Sequence, residues 1–241
     1  MTSAFDSEFD PEFDFRSDAR GGDPDKDSAT LRRYHQLVWS KPLPDGTPFV
    51  LADGGSRGYL RHESGLGRFL LSSDTIHRTF TRHLKMQHII GQLPAADVEA
   101  ALRRGYRMGG MILFPGVRVD GKHTINQARG THPLIADRFD LTLECIRRYY
   151  AGEPNLLDAT LGRYSDFFEL FGSFRGYVDF WLLNDLVTDD YRAIRFWSDF
   201  DDFASSPLPR DLESYLDYRE RMLGFVDARN ARIAAAVTTS M

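Results

Sequence analysis

"PFVLADGGSRGYLRHESGLGRFLLSS", residues 48–73, is the stretch that decides the fold class. Three short runs, "PFVLAD", "GYLRHE" and "GRFLLSS", have the length and apolar content of strands, and glycine-rich turns separate them. Strands this short, reversed by glycines that tolerate positive φ, predict an antiparallel meander. Downstream, "GGMILFPGVRV" (109–119) returns to a strand pattern. The pair Asp120-Gly121 between it and "KHTIN" has the residues of a type I′ turn, which predicts a hairpin whose second strand leads into Asn126.

Outside these runs the spacing is helical. Ser28 is placed to cap a helix through "TLRRYHQLVWS", which "KPLPDGTP" then breaks with three prolines and a glycine. Ser73 and Asp74 are cap residues for a helix to about Gln92, and Pro94 opens another to about Arg104. A further helix is expected from near Thr131, with Pro133 in its first turn, because Ile135, Phe139, Leu143, Ile146 and Tyr150 recur at steps of three and four. Glu144 and Arg148 then stand four apart, the spacing of an intrahelical ion pair. "NLLDATLGRYSDFFELF" and "SFRGYVDFWLLNDLV" are amphipathic, and "PRDLESYLDYRERMLGFVDARNARIAAAV" reads as a long closing helix. Strands in the first half and helices in the second imply an α+β fold, a small antiparallel sheet from the N-terminal half packed against a helix-rich C-terminal half.

At 241 residues and 42% hydrophobic content the chain can bury one large core, so residues 28–241 are expected to form a single globular domain. The charge is unevenly spread. Residues 1–27 hold nine acidic and three basic residues, a balance of −6, which leaves +1 on the rest out of a total of −5. With "FD" recurring at Phe5, Phe9 and Phe13 and no helical or strand period, this segment reads as a disordered acidic leader; the other reading makes it a docking segment that folds onto a protein partner or onto the chain's own body. The near-neutral remainder has no broad basic footprint, and nucleic acid is not the favoured partner, although Arg78, Arg82 and Lys85 would form a short basic stripe on the helix expected there. The single Cys145 excludes a disulfide framework, and apolar runs such as "FWLL" are too short to span a membrane. These features lead us to expect a cytoplasmic protein.

Familiar motifs are missing. "GGSRG" (54–58) has the letters of a nucleophile elbow, but a strand follows it where that motif needs a helix. His77, His83 and His88, placed on one helix, are too far apart in angle or in height to hold one metal ion. There is no metalloprotease signature, Walker loop or dinucleotide fingerprint, and nothing identifies a cofactor. The aromatics from Phe167 to Trp181 are spaced as core residues.

What remains is "INQARGTHPLIADRFD", where six polar side chains fall within fifteen residues. An arginine beside a helix start is a physically sensible anion receptor, so Asn126, Arg129 and Arg138 are the candidate ligand-binding residues. His132, Asp137 and Asp140 are the candidate catalytic acid–base groups. This supports a small enzyme acting on a phosphate-bearing ligand such as a nucleotide. The other function class is a non-catalytic interaction protein in which the same residues form a structural salt-bridge network, since both uses employ the same residue types. An open cleft would favour the first, and a filled, fully paired network the second.

The block "GGMILFPGVRVDGKHTINQARG", followed by "IADRFDLTLECIRRYY" and "DFFELFGSFRGYVDFWLLNDLV", resembles a family of uncharacterised bacterial proteins of about this length. The resemblance spans the chain from about Leu31 to about Arg232. It implies one domain of constant length, brings no activity with it, and leaves the acidic leader outside.

Overall fold

The computed structural model describes residues 9–55 and 58–240. Ser56 and Arg57 of "GGSRG" and Phe5 of the leader lie outside them. Four strands, β1 (Ala52–Asp53), β2 (Tyr59–Ser64), β3 (Gly67–Thr75) and β4 (Met111–Pro115), form one sheet in the order β1-β2-β3-β4. Every neighbouring pair is antiparallel. Among the described residues there are ten α-helices: α1 (Pro24–Asp27), α2 (Ala29–Trp39), α3 (Gln87–Ile90), α4 (Ala95–Gly105), α5 (Ile125–Thr131), α6 (Phe139–Ala151), α7 (Asp158–Gly162), α8 (Ser165–Glu169), α9 (Phe174–Phe180) and α10 (Leu212–Ser240). The fold is α+β, as the segregation of strand and helix patterns implies.

Where the structure departs from the sequence expectation, tertiary pairing overrides a local preference. The helix expected from Ser73 to Gln92 is absent. β3 runs on through both cap residues, because Ser73 pairs with Leu113 and Asp74 with Ile112, and β4 thereby satisfies their backbone groups. The chain then kinks at Phe80 (φ 56°) and turns helical only at Leu84–Met86 and α3. His77, His83, His88 and the basic residues Arg78, Arg82 and Lys85 therefore share no helix.

Asp120 and Gly121 do take the expected left-handed conformation (φ 52° and 70°), but no strand follows them. Instead α5 starts at Ile125. Thr124 accepts from the Gln127 N–H at 3.3 Å while the Gln127 side chain accepts from the Thr124 N–H at 3.3 Å, a reciprocal cap. Thr131, expected to start a helix, ends one and donates to the Gln127 carbonyl at 2.8 Å. Pro133 lies in the connection, and α6 begins at Phe139. The apolar stripe survives this break: Ile135, Phe139, Leu143 and Ile146 are fully buried. Glu144 pairs with Arg148 at 2.7 Å and also with Arg147 at 2.8 Å.

The core lies between the sheet and the helices. Every residue of β4 is buried, and Phe167, Phe168, Phe171, Tyr177, Phe180 and Trp181 pack into the same interior. α10 crosses the residues just before β4 so closely that a side chain on Gly109 would run into the Val226 carbonyl, and only glycine fits there. The Asn230 amide oxygen accepts from the Gly109 N–H at 3.0 Å at the same crossing. Arg229, fully buried on α10, donates to the carbonyls of Trp181 (3.0 Å), Gly109 (2.8 Å) and Met111 (2.7 Å). It ties the closing helix to the sheet through backbone acceptors, without a carboxylate within ion-pair distance among the described residues.

Composition alone reads the leader as disordered, and its first eight residues lie outside the described ones. Residues 9–27 lie on the body. Phe9, Phe13 and Phe15 surround the Tyr34 ring of α2, with centroids 4.8, 6.2 and 5.8 Å away, and Phe15 is fully buried. The Phe15 N–H donates to the Tyr106 carbonyl at 3.1 Å, and Asn230 donates to the Pro11 carbonyl at 2.6 Å. Ion pairs also tie the segment to the body, Glu12 with Arg107 at 2.6 Å and Arg16 with Glu99 at 2.8 Å. Aromatic burial supplies what the composition concealed, and Asp23 then caps α1.

Phe15→Ala should cost about 3–5 kcal/mol of stability, a drop in melting temperature on the order of 10 °C. A melting curve unchanged by the substitution would show that the leader is not docked in solution.

Candidate functional site

The polar block of the sequence separates into two environments. Arg138 and Asp140 are buried together at the start of α6. Both guanidinium edges of Arg138 are occupied: Nε and Nη2 donate to Asp140, and Nη1 donates to the Ser198 hydroxyl at 2.6 Å and the Pro207 carbonyl at 3.0 Å. The Trp197 N–H donates to Asp140 at 3.0 Å, and the Tyr218 ring lies 5.2 Å from the guanidinium. This buried network pins the 197–207 loop to α6, with both edges of the guanidinium committed to protein groups. His132 caps the end of α5, and its Nδ1 accepts from the Leu134 N–H at 3.2 Å. Burial pushes its pKa below the usual imidazole value. None of the three lines the cavity of about 700 Å³ that Asn126 faces.

Asn126 and Arg129 belong elsewhere. One turn of α5 carries both, Asn126 toward a cavity of about 700 Å³ and Arg129 into the protein beneath it. Arg129 donates to Asp74 at 2.9 Å, to the Thr75 carbonyl at 2.5 Å and to the Asp137 carbonyl at 3.4 Å, and its Nη2 lies 3.3 Å from the Asp137 carboxylate. Burial disfavours its charge, but Asp74 and Asp137 outweigh that effect and hold the guanidinium ionised. Asp137 reaches it because Ala136 and Asp137 both adopt left-handed backbone (φ 49° and 65°) between α5 and α6.

The cavity itself is closed by the leader. Asp25 of α1 and Asp74 at the end of β3 both face it, together with Ser73, Asn126, Tyr59, Lys26 and Arg118. Both carboxyls are held above the ordinary range. For Asp25 the causes are burial, then the negative charges of Asp74 and Asp23; for Asp74 they are burial, opposed by Arg129 and reinforced by Asp137. Asp25 is raised the more, because Arg129 holds Asp74 directly and Asp25 only at a distance. Two carboxyls in one partly desolvated space disfavour each other's ionisation, and the contact with Arg129 is what distinguishes Asp74 from Asp25. The Oδ1 of Asp25 and the Oδ1 of Asn126 are buried without a hydrogen-bond partner, which leaves polar groups to meet a ligand in the cavity.

Ser73 is fixed from behind. The Trp39 indole donates to His35 Nδ1 at 3.1 Å, so Nδ1 is the acceptor and the neutral ring carries its proton on Nε2. His35 Nε2 then donates to the Ser73 hydroxyl at 3.0 Å, which frees the hydroxyl proton for Asp25. Burial, with some help from the charge of Arg229, pushes the His35 pKa down to about 3 and keeps it neutral. Asp25, Ser73, Asp74, His35 and Trp39 escape the sequence reading. Ser73 and Asp74 read as helix caps, Asp25 sits in a segment read as disordered, and His35 and Trp39 are a plain four-residue repeat on α2 until β3 is laid beside it.

Arg138→Ala strands the buried Asp140 carboxylate and should cost about 3–5 kcal/mol in denaturant unfolding, whereas Thr124→Ala, which removes the α5 cap, should cost about 1 kcal/mol. The raised pKa of Asp25 sets a sign for pH dependence. The native state binds its proton to a higher pH than the unfolded chain does, so above the unfolded pKa stability falls as pH rises, until the native pKa is passed. Unfolding free energies measured from pH 4 upward should therefore decline more steeply for the wild type than for Asp25→Asn; parallel curves would mean that Asp25 is solvated.

No curated protein matches the chain, and no solved structure matches it. Over residues 9–233, which include most of the acidic leader as well as the body, the chain belongs to the family described as "Family of unknown function (DUF6994)".

Proposed function

We propose that the chain is an acid–base enzyme whose site is the cavity between α1, β3 and α5, and that its ligand is a small phosphate-bearing molecule. One observation carries this reading: two carboxyls, one held by Arg129 and one not, face the same cavity beside the unsatisfied amide oxygen of Asn126. Asp25 is the general acid, and it gives its proton to a leaving group or carbonyl. Asp74, held in contact with Arg129, takes a proton or stabilises positive charge. Asn126 orients the ligand by accepting an N–H or O–H. The anion-binding role moves from Arg129 and Arg138, whose donors are occupied, to Lys26 and Arg118, which line the same cavity. His132, Asp137 and Asp140 drop out of the catalytic set.

The saturated Arg138–Asp140 network favours the second reading for its own part of the chain, where the polar residues are architecture. It has no bearing on the cavity.

A thermal-shift screen of nucleotides, NAD and sugar phosphates, followed by product detection, separates the two. Under the enzyme reading at least one compound stabilises the wild type, Asn126→Ala removes that stabilisation, and Asp25→Asn keeps binding but lowers turnover about 10²–10⁴-fold. If no compound shifts the wild type, the interaction protein is the better description.

A further inference from the structure

On the other side of α1 lies a second cavity, about 360 Å³, between the leader and the kinked segment after β3. Its lining carries Arg16, Arg78 and Arg82, the hydroxyl residues Thr75, Thr79 and Thr81, and no carboxylate among the described residues. That is unexpected for a chain of net charge −5. Two of the arginines are anchored from outside the cleft, Arg16 by Asp14 and Glu99 and Arg78 by Asp137 at 3.2 Å, which fixes their heads without consuming every donor. The Nε of Arg78 is buried with no hydrogen-bond partner. Arg82 has no ion pair among the described residues and is exposed. The Phe80 kink (φ 56°) brings Arg78 and Arg82 to one cleft, a conformation a phenylalanine adopts only when its surroundings impose it.

We propose that this cleft is a binding site for a phosphoryl anion, held by Arg78 and Arg82 with Arg16 opposite. Three guanidinium groups and threonine hydroxyls are the donors that such a group takes, and arginine suits its several oxygens better than a point charge does. The volume exceeds that of a phosphate ion, and Phe80, Leu102 and Tyr106 form a wall for a small apolar substituent. The site is separate from the Asp25–Asp74 cavity but connected to it. Arg78 binds Asp137, Asp137 binds Arg129, and Arg129 binds Asp74, with contacts of 3.2, 3.3 and 2.9 Å. An anion that draws Arg78 toward the cleft weakens its hold on Asp137, and the change passes through Arg129 to Asp74.

Calorimetric titration of the full chain with inorganic phosphate and with phenyl phosphate, against chloride at matched ionic strength, tests the site. The expected result is saturable binding that Arg82→Gln weakens at least tenfold while its melting temperature without ligand stays at the wild-type value, since Arg82 has no partner to lose. Arg78→Gln should weaken binding as well. Arg118→Gln, in the other cavity, should leave the component of binding that depends on Arg82 unchanged, which keeps this result distinct from the fate of the acid–base reading. Tighter binding of phenyl phosphate identifies a phosphorylated molecule as the ligand, and equal binding identifies free phosphate. Absence of saturable binding by either probe, or binding that Arg82→Gln leaves unaltered, overturns the proposal.

Discussion

The buried guanidinium of Arg129 is the constraint on which the rest of this architecture turns. It accounts for the end of β3 through Asp74 and the Thr75 carbonyl, and for the strained α5–α6 connection through Asp137. A charge so far from water is tolerated only with its partners in place, and each partner is in turn committed to it. Asp74 is thereby held at one edge of the cavity, and Asp137 is held where it can also meet Arg78. The same pairing explains why two neighbouring carboxyls differ. Asp74 has a cation in contact, and Asp25 has none among the described residues.

Residues 9–27 contribute both to packing and to the lining of the cavity. Their phenylalanines bury against Tyr34, and this docking carries Asp25 to the mouth of the cavity. A carboxyl kept above its usual pKa and lacking a partner for one oxygen is a destabilising arrangement in itself. Phe15, the reciprocal Arg16 ion pairs and the Asn230 bond to Pro11 offset that cost elsewhere in the segment. Local inconsistency of this kind, supported by a well-packed surround, is what functional sites show. The match of the family to residues from 9 onward agrees with a segment that belongs to the domain.

Arg138 and Asp140 illustrate the opposite use of the same residue types. Their hydrogen bonds join α6 to the loop that contains Trp197 and Pro207, and the Tyr218 ring of α10 covers them. Here the burial is complete and the partners are all protein groups, so the pair specifies how three segments meet. The distinction between Arg129 and Arg138 is one of neighbours: one stands behind an open cavity and the other is enclosed.

The sequence by itself determined the features that depend on local chemistry. The meander of β2 and β3, the Ser28 cap of α2, the Pro94 start of α4, the long α10 and the buried stripe from Ile135 to Ile146 all follow from period, caps and breakers, which act within a few residues. Within the polar block, Asn126 and Arg129 stand out as candidates because a polar cluster beside a helix start is a local signal, and the structure places both on α5. Only the tertiary structure decided the rest. β3 runs through Ser73 and Asp74 because β4, some forty residues away, pairs with them, and no local preference records that partner. Residues 9–27 lie on the body because Tyr34 and Tyr106 receive Phe15, a contact that the composition of the segment does not record. Asp25, Ser73, Asp74 and Asn126 come from three separated segments, and the raised carboxyl pKa that makes them a candidate site is a property of burial and mutual distance, which exists only once the chain has folded.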